Sequence, residues 1–489
     1  MVKTVVGDEI RLGLIEDRLS QSSLTSQVGL VIGKLSSSLD RGFVFDLVPT
    51  PPNDAGEPPC SLIETTTTKD DKKRGSRSKS QALDTSTLVI DKDWVAEHSR
   101  QVSRMLLGGM NVVGIYVWVS DSSFKNSTIT LCQTVNEVGE AAAISEAGGD
   151  ERLLIHICFS PRRWTCRNCT LSSNIISNSL RPCDFKMGRV LSSLQTFKCT
   201  YNFELRLPIF HDNASDVPSF SAILRQGISV HAKELRGAKA IIDGNLVVSE
   251  DSCTTDGPHE IELLVPFMKD VLVRASSQKN IAGLILFGGS VCSFAYLNPK
   301  ETVLQATADI KDDIIRSLKS RLDIICDEAD GGLDPIDGNS KELHKEKLSE
   351  KPVSKLVPHL LRNTCGLSFP RRVFIPWLGN AFICDYLQQS ETLEILKDHC
   401  TELMSIDVPA DSSIILQPED EASLFMNKSF WDISVPRYST PNSSSEKGGK
   451  VEKRTAESSG RKAFGLNLLA AIFFLLLSVL LGFVFVRQS

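Results

Sequence analysis

The side chains best suited to chemistry in this sequence are thiols and imidazoles. Cys166 and Cys169 bracket the run CRNC, a spacing at which two thiolates can grip one zinc ion. A structural zinc site normally adds a second close pair, whereas only the distant Cys183 and Cys199 are on offer, so the run reads as incidental thiols. A cysteine nucleophile would instead need an imidazole to take its proton. His156 and Cys158 stand two apart in LLIHICF, which on a strand puts both on one side, whereas His399 and Cys400 are adjacent. Both pairs, and His98, read first as packing residues. The phosphate-binding G-x-x-x-x-G-K-[ST], the zinc-protease H-E-x-x-H and the nucleophile elbow G-x-S-x-G do not occur. LFGGS, Leu286–Ser290, reads as a tight turn.

The elements that must position these groups are mixed α and β. VGLVIGKL (Val28–Leu35) and GFVFDLVP (Gly42–Pro49) read as two buried strands. DKDWVAEHSRQVSRMLLGG reads as a helix with Asp93 as N-cap, Trp94, His98, Val102 and Leu106 recurring on one face, and Gly108 and Gly109 as its stop. The run that follows, NVVGIYVWVS, is almost unbroken in its hydrophobicity and reads as a central strand buried on both faces. LLIHICF and FELRLPIF are strand-like, and IAGLILFGG with SVCSFAYL suggests a hairpin. In NPKETVLQATADIKDDIIRSLKSRLDII, Asn298 as N-cap, Pro299 and a capping Glu301 open a helix with the apolar stripe Ala306, Ile310, Ile314, Leu318 and Leu322. The pattern YL-x-x-x-ET occurs at Tyr296 and again at Tyr386, either a duplicated unit or one local start signal used twice.

Thirteen cysteines, an odd number, are scattered through 489 residues, a chain long enough to bury its own core without disulfides. They read as reduced thiols. The opening MVKTVVGDEIRLGLIEDRLS breaks its apolar residues with acids, unlike a secretory signal. A net charge of −6 supplies no general basic face, which argues against a nucleic-acid partner. Composition divides the chain into a body over residues 1–327 with a disordered insertion at about 50–83, a linker at 328–355, a smaller strand-helix unit at 356–436 and a basic stalk at 437–462.

The last segment, Ala463 to Val486, carries no charge and is long enough to cross a hydrocarbon layer of roughly 30 Å. Lys447, Lys450, Lys453, Arg454, Arg461 and Lys462 precede it, against Arg487 alone behind it. That asymmetry predicts a single-pass tail anchor in a lipid bilayer with the N-terminal body in the cytosol. The sequons at Asn126, Asn168, Asn213, Asn427 and Asn442 would then stay bare.

The first strands, the helix and the dry strand resemble the MPN fold of JAMM-type deubiquitinase-like proteins, with GLVIG (Gly29–Gly33) and GIYVWVS (Gly114–Ser120) as the matching runs. The catalytic form of that fold needs a general-base Glu, two His, an Asp and a Ser around zinc. At the matching positions stand Ser26 for the Glu, Val117 and Val119 for the two His, and Thr130 for the Asp, with only Ser127 retained. Valine has no lone pair to donate, so the resemblance implies an α/β (α+β), MPN-like domain without metal ligands, and no cofactor.

DWVAEHSRQVSRMLLGGMNVVGIYV, LLIHICFSPRRWTCRNC, RRVFIPWLGNAFICDY and the apolar tail together resemble the odorant-response-abnormal-four family of tail-anchored endoplasmic-reticulum proteins. The most specific block is E-H-x-x-Q-V-S-R-M-L-x-G-G, Glu97 to Gly109, with Leu107 where the family is expected to carry Pro. The resemblance implies a non-enzymatic adaptor at the endoplasmic-reticulum membrane. It would recruit a ubiquitin-fold-modifier-specific cysteine protease, assist trafficking of multipass receptors, or both. Trp94, Arg104, Gly108, Gly109 and Gly114 are the structural or docking candidates. The rival expectation is an isopeptidase-like hydrolase acting on a ubiquitin-like conjugate.

Overall fold

The computed structural model describes residues 2–36, 39–64, 86–143, 150–171, 180–210, 220–247, 257–266, 281–331, 369–388, 391–406, 419 and 426–429. All of these belong to one compact unit, Met1–Val435. The expected stalk and the span Ala463 to Val486 lie outside the described residues, as does the linker at 328–355 beyond Gly331. No helix among the described residues is long and apolar enough to cross a membrane.

Seven strands close into a barrel in the order β1 (Thr4–Asp8), β3 (Arg41–Pro49), β2 (Gln27–Ser36), β6 (Asn111–Trp118), β7 (Glu151–Phe159), β8 (Arg162–Thr170) and β9 (Leu180–Gly188), with β9 returning to β1. Closure leaves this sheet no unpaired edge. Between β1 and β2 runs α1 (Glu9–Gln21), capped by Asp8, whose carboxylate accepts from the Arg11 amide. The dry strand β6 lies between antiparallel β2 and parallel β7. Its alternate residues feed two cores: Ile115, Val117 and the following Val119 pack in one, while Val113, Tyr116 and Trp118 pack with α1 in the other. A strand with apolar neighbours on both faces reads as a continuous hydrophobic run.

The parallel β6–β7 pair requires a crossover, made by α3 (Asp121–Asn126) and α4 (Thr128–Ala141). The helix α2 (Lys92–Met105) starts two residues earlier than its sequence suggests, because the N-cap is Asp91, whose side chain accepts from the Trp94 amide, rather than Asp93. Its buried face is Val95, His98, Ser99, Val102 and Met105, and Leu106 already belongs to the exit, bridged to Ile383.

The expected disordered insertion at about 50–83 contains a strand. Cys60–Glu64 (β4) pairs along its length with Ser86–Ile90 (β5), and Cys60, Leu88 and Ile90 turn into the first core. The apolar alternation there is only five residues long, too short to show against the surrounding Pro, Ser and charge.

A second sheet, of six strands, runs β12 (Asn245–Leu246), β11 (Lys239–Ile242), β13 (His259–Leu264), β10 (Gln195–Phe210), β14 (Ile281–Leu297), β17 (Met426–Ser429). The helices α5 (Phe220–Arg236) and α6 (Val303–Gly331) share a separate core with it. The expected hairpin at LFGGS is instead one unbroken strand, since β14 pairs with β10 from Gln195↔Leu297 to Phe210↔Ile281. The long partner supplies a bond ladder through Gly288 and Gly289 that outweighs their turn preference. The stripe Ala306, Ile310, Ile314, Leu318 and Leu322 is buried as its spacing indicates. The Asn298–Glu301 box forms too, Glu301 accepting from the Asn298 amide, but it makes a turn before a helix that opens at Val303.

The smaller unit expected at 356–436 has no core of its own among the described residues. The hairpin β15 (Arg371–Pro376) and β16 (Phe382–Leu387), with α7 (Leu393–Met404), contributes Val373, Ile383, Leu396 and Met404 to the core that holds Val102 and Met105 of α2. Among the described residues four buried ion pairs tie the layers. Lys34 of β2 sits 2.6 Å from Asp309 and 3.2 Å from Glu301, and Arg372 sits 2.7 Å from Asp313. Glu419 takes both Arg321 and the Cys292 amide. Burial alone would lower the Lys34 pKa, but the two carboxylates outweigh it and hold the ammonium charged.

Candidate functional site

The polar group nearest to a reactive arrangement lies where β6 and β7 end side by side. Val117 pairs with His156, and the Val119 amide donates to the Ile157 carbonyl. Just beyond, Ser120 caps α3 by accepting from the Ser123 amide, which places Asp121 in the first turn. On β7, His156 and Cys158 do share a side, as the strand period requires, and both are buried. A ring nitrogen of His156, a carboxylate oxygen of Asp121 and the Cys158 sulfur lie within 4.8 Å of one another.

The imidazole is fixed on three sides. Nε2 lies 3.0 Å from the Val119 carbonyl, so it carries the proton in the neutral ring. Nδ1 is 3.8 Å from Asp121 Oδ1, and Phe124 stacks on the ring face at 4.1 Å between centroids. Asp121 Oδ2 meets Arg163 at 2.6 Å, and Cys158 Sγ donates to the Ser160 carbonyl at 3.5 Å. Burial, helped by Arg163 and Arg167, outweighs Val119 and Asp121 and pulls the His156 pKa below its ordinary value. Its ring is therefore neutral at neutral pH.

That geometry separates two chemistries. A nucleophilic triad needs the imidazole between thiol and carboxylate, one nitrogen on each. Here Nε2 is spent on a backbone carbonyl, leaving Nδ1 alone to serve both partners. The donors converge instead of forming a relay.

The positions matched to zinc ligands hold no such set. Val117 and Val119 are buried in the first core, and Ser127 Oγ accepts from the Leu88 amide at 2.7 Å. Ser26 lies beside Cys60 at 3.9 Å, and Thr130 is half-buried on α4, its carbonyl accepting from Thr134. The CRNC pair is divided: Cys166 faces the core lined by α1, opposite Cys183, and Cys169 faces the other core. His399 is bonded to Asp385 at 2.9 Å on the exposed side of α7, while Cys400 is buried on the other.

The remaining candidates are joints. Trp94 is half-buried and donates to the Pro51 carbonyl at 2.9 Å rather than packing on the sheet. Arg104 is exposed in the last turn of α2, where a cation favours the helix end, and its carbonyl accepts from Cys384 at 3.6 Å. Gly108 bridges to Ala295 of the second sheet, and Gly109 takes φ +86° against Asp309. Gly114 lets β6 approach β7, since a Cβ there would overlap the Leu153 carbonyl oxygen. Asp121 is the residue that reading the sequence misses. Its signal was the Ser-Asp pair directly after the dry strand, in the position of a helix cap and first turn.

A closed barrel and a second sheet, each packed with helices, define a mixed α/β protein. The chain belongs to the Odorant response abnormal 4-like family, whose model matches residues 29–415. It is similar to the protein odr-4 homolog of Mus musculus, 23% identical over 418 residues, covering 81% of this chain and 82% of that one. The Homo sapiens protein odr-4 homolog is 24% identical over 81% of this chain and 82% of its own. The Dictyostelium discoideum homolog is 25% identical over 84% and 82%. Among solved structures, the UfSP of C. elegans aligns with TM-score 0.35 and 8% identity over 83% of this chain. This chain spans 57% of that protein's length, and the likeness is too slight to transfer fold or activity.

Proposed function

We propose that the protein is a non-catalytic, membrane-tethered adaptor whose cytosolic body, MPN-like in descent, recruits a ubiquitin-fold-modifier-specific cysteine protease to the endoplasmic reticulum and aids delivery of multipass receptors. The observation that carries the non-catalytic part is the fate of Val117 and Val119, side chains without lone pairs packed inside the apolar core. Membership of the Odorant response abnormal 4-like family supports the trafficking part. The apolar, uncharged run from Ala463 to Val486 supports the anchor.

Affinity purification from detergent-solubilised cells tests the adaptor reading, with co-purification of a modifier-specific protease as the expected result. Deleting 463–489 should release the chain to the cytosol while binding persists. The hydrolase reading draws on the cluster of Asp121, His156 and Cys158. It predicts that a modifier bearing a thiol-reactive C-terminus labels Cys158, and labelling of the purified chain would overturn the adaptor reading.

A further inference from the structure

The convergence of three unlike donors at the ends of β6 and β7 has a chemistry of its own. We propose that Asp121, His156 and Cys158 form a binding site for one divalent cation of the zinc class, distinct from the matched positions at Val117 and Val119. Thiolate, imidazole and carboxylate together are the donor set that borderline-soft ions select.

Four features fit an ion. The donor atoms lie within 4.8 Å of one another. Nitrogen and oxygen ligands at zinc's bond lengths stand roughly 3.3 Å apart in a tetrahedron, so Nδ1 and Asp121 Oδ1, at 3.8 Å, need to close by only about half an ångström. Nε2 is held by the Val119 carbonyl, which leaves Nδ1 as the free lone pair and orients the ring, the outer-shell bond that metal-binding histidines make. Arg163 holds Asp121 through Oδ2 alone, keeping Oδ1 turned inward. Phe124 closes the ring face, while Asp121, one-third exposed, leaves an entry from solvent.

Binding requires the Cys158 thiol to give up its bond to the Ser160 carbonyl and release its proton to solvent. The thiolate and carboxylate then balance the two positive charges of the ion, with Arg163 outside the ligand shell. Three protein ligands leave a fourth position for water.

The test is metal binding by the purified full-length chain. Zinc titrated against a chromophoric competitor should bind at one equivalent, and cobalt in its place should give a thiolate charge-transfer band. Asp121→Asn and Cys158→Ser should each weaken zinc at least tenfold, and the cobalt band should vanish in Cys158→Ser. Cys166→Ser with Cys169→Ser should change neither. Asp121 is partly exposed, so Asp121→Asn is the variant expected to keep the fold, checked by its unfolding midpoint in chelator. Absence of zinc binding at micromolar concentration, or binding that both site variants retain undiminished, would overturn the proposal.

Discussion

His98 makes the fold of this protein sensitive to mild acid, with a size that can be worked out in advance. The ring is buried in the face of α2, with Nδ1 3.2 Å from Thr50 Oγ1 and Nε2 2.8 Å from the Leu403 carbonyl on α7. Burial, only partly offset by Leu403, pushes its pKa from 6.5 down to about 4. Between those values the unfolded chain holds a proton that the folded chain refuses. Stability is thus complete above pH 6.5 and falls as pH drops towards about 4. The distance from 6.5 to about 4, at about 1.4 kcal/mol for each pH unit, amounts to a loss of about 3 kcal/mol across the window. Urea unfolding at stepped pH, followed by circular dichroism, measures it in the wild type and in His98→Gln. The variant loses roughly 1 kcal/mol at neutral pH from its altered hydrogen bonds, but its profile should be flatter by about 3 kcal/mol in acid. His156, also lowered by burial, titrates in both proteins and cancels in the difference. Parallel profiles would refute the account of His98 as a neutral joint between α2 and α7.

Gly114→Ala should destabilise the barrel by roughly 3 kcal/mol or more, because its Cβ meets the Leu153 carbonyl of a neighbouring strand that cannot yield; thermal unfolding reads the loss. Arg372→Met should cost roughly 3–5 kcal/mol by leaving Asp313 charged and buried, and the double variant with Asp313→Leu should recover most of it in the same unfolding assay. Among the thiols of the described residues, Cys183 should alkylate first: the hydrogen bond from Cys166 lowers its pKa, whereas burial pushes Cys199, Cys384 and Cys400 up to about 12. Mass spectrometry after brief iodoacetamide treatment gives the order, and early labelling of Cys384 would contradict it.

Elements whose burial follows one period were legible in the sequence. The stripe of α6 lies on one face of one helix, and β6 is dry because its alternate side chains enter two cores. What depended on distant pairing was not legible. Gly288 and Gly289 carry a strong local turn signal, and only the register with Phe203 and Glu204 of β10 straightens them. The strand at Cys60–Glu64 is visible only once Ser86–Ile90 is known to pair with it. The same holds for the candidate site. His156 and Cys158 could be placed on one side from their spacing, but Asp121 joins them through the parallel register of β6 and β7, which no local pattern encodes. The two YL-x-x-x-ET copies make the same turn between a strand and a helix. Glu301 accepts from the Asn298 amide and Glu391 from the Gln388 amide, in sheets of six strands and two.

The block Glu97 to Gly109, which most specifically marks the family resemblance, turns out to be the place where three layers meet. His98 reaches α7, Leu106 bridges to Ile383 of the β15–β16 hairpin, and Gly108 bridges to Ala295 of the second sheet. Val102, Met105, Leu106 and Leu107 are buried, and Glu97 is occupied by Arg100 and Gln101. Leu107, standing where Pro is expected, also accepts from the Met110 amide in the exit turn, a role that a carbonyl of either residue fulfils. Most side chains of the block therefore point into the body and cannot face a partner. The specificity of this motif follows from assembly, since a helix that must satisfy three neighbours tolerates few substitutions. Of its members Glu97, Arg100, Gln101, Ser103 and Arg104 offer atoms to solvent, and Arg100 and Arg104 are the most exposed. A charge-reversal scan should therefore separate the two roles. Arg104→Glu should leave the unfolding midpoint within about 0.5 kcal/mol of wild type, while any loss of partner capture it causes would mark docking. If Arg104→Glu instead unfolds the body, the residue belongs to the joint, and the partner-facing surface lies away from α2.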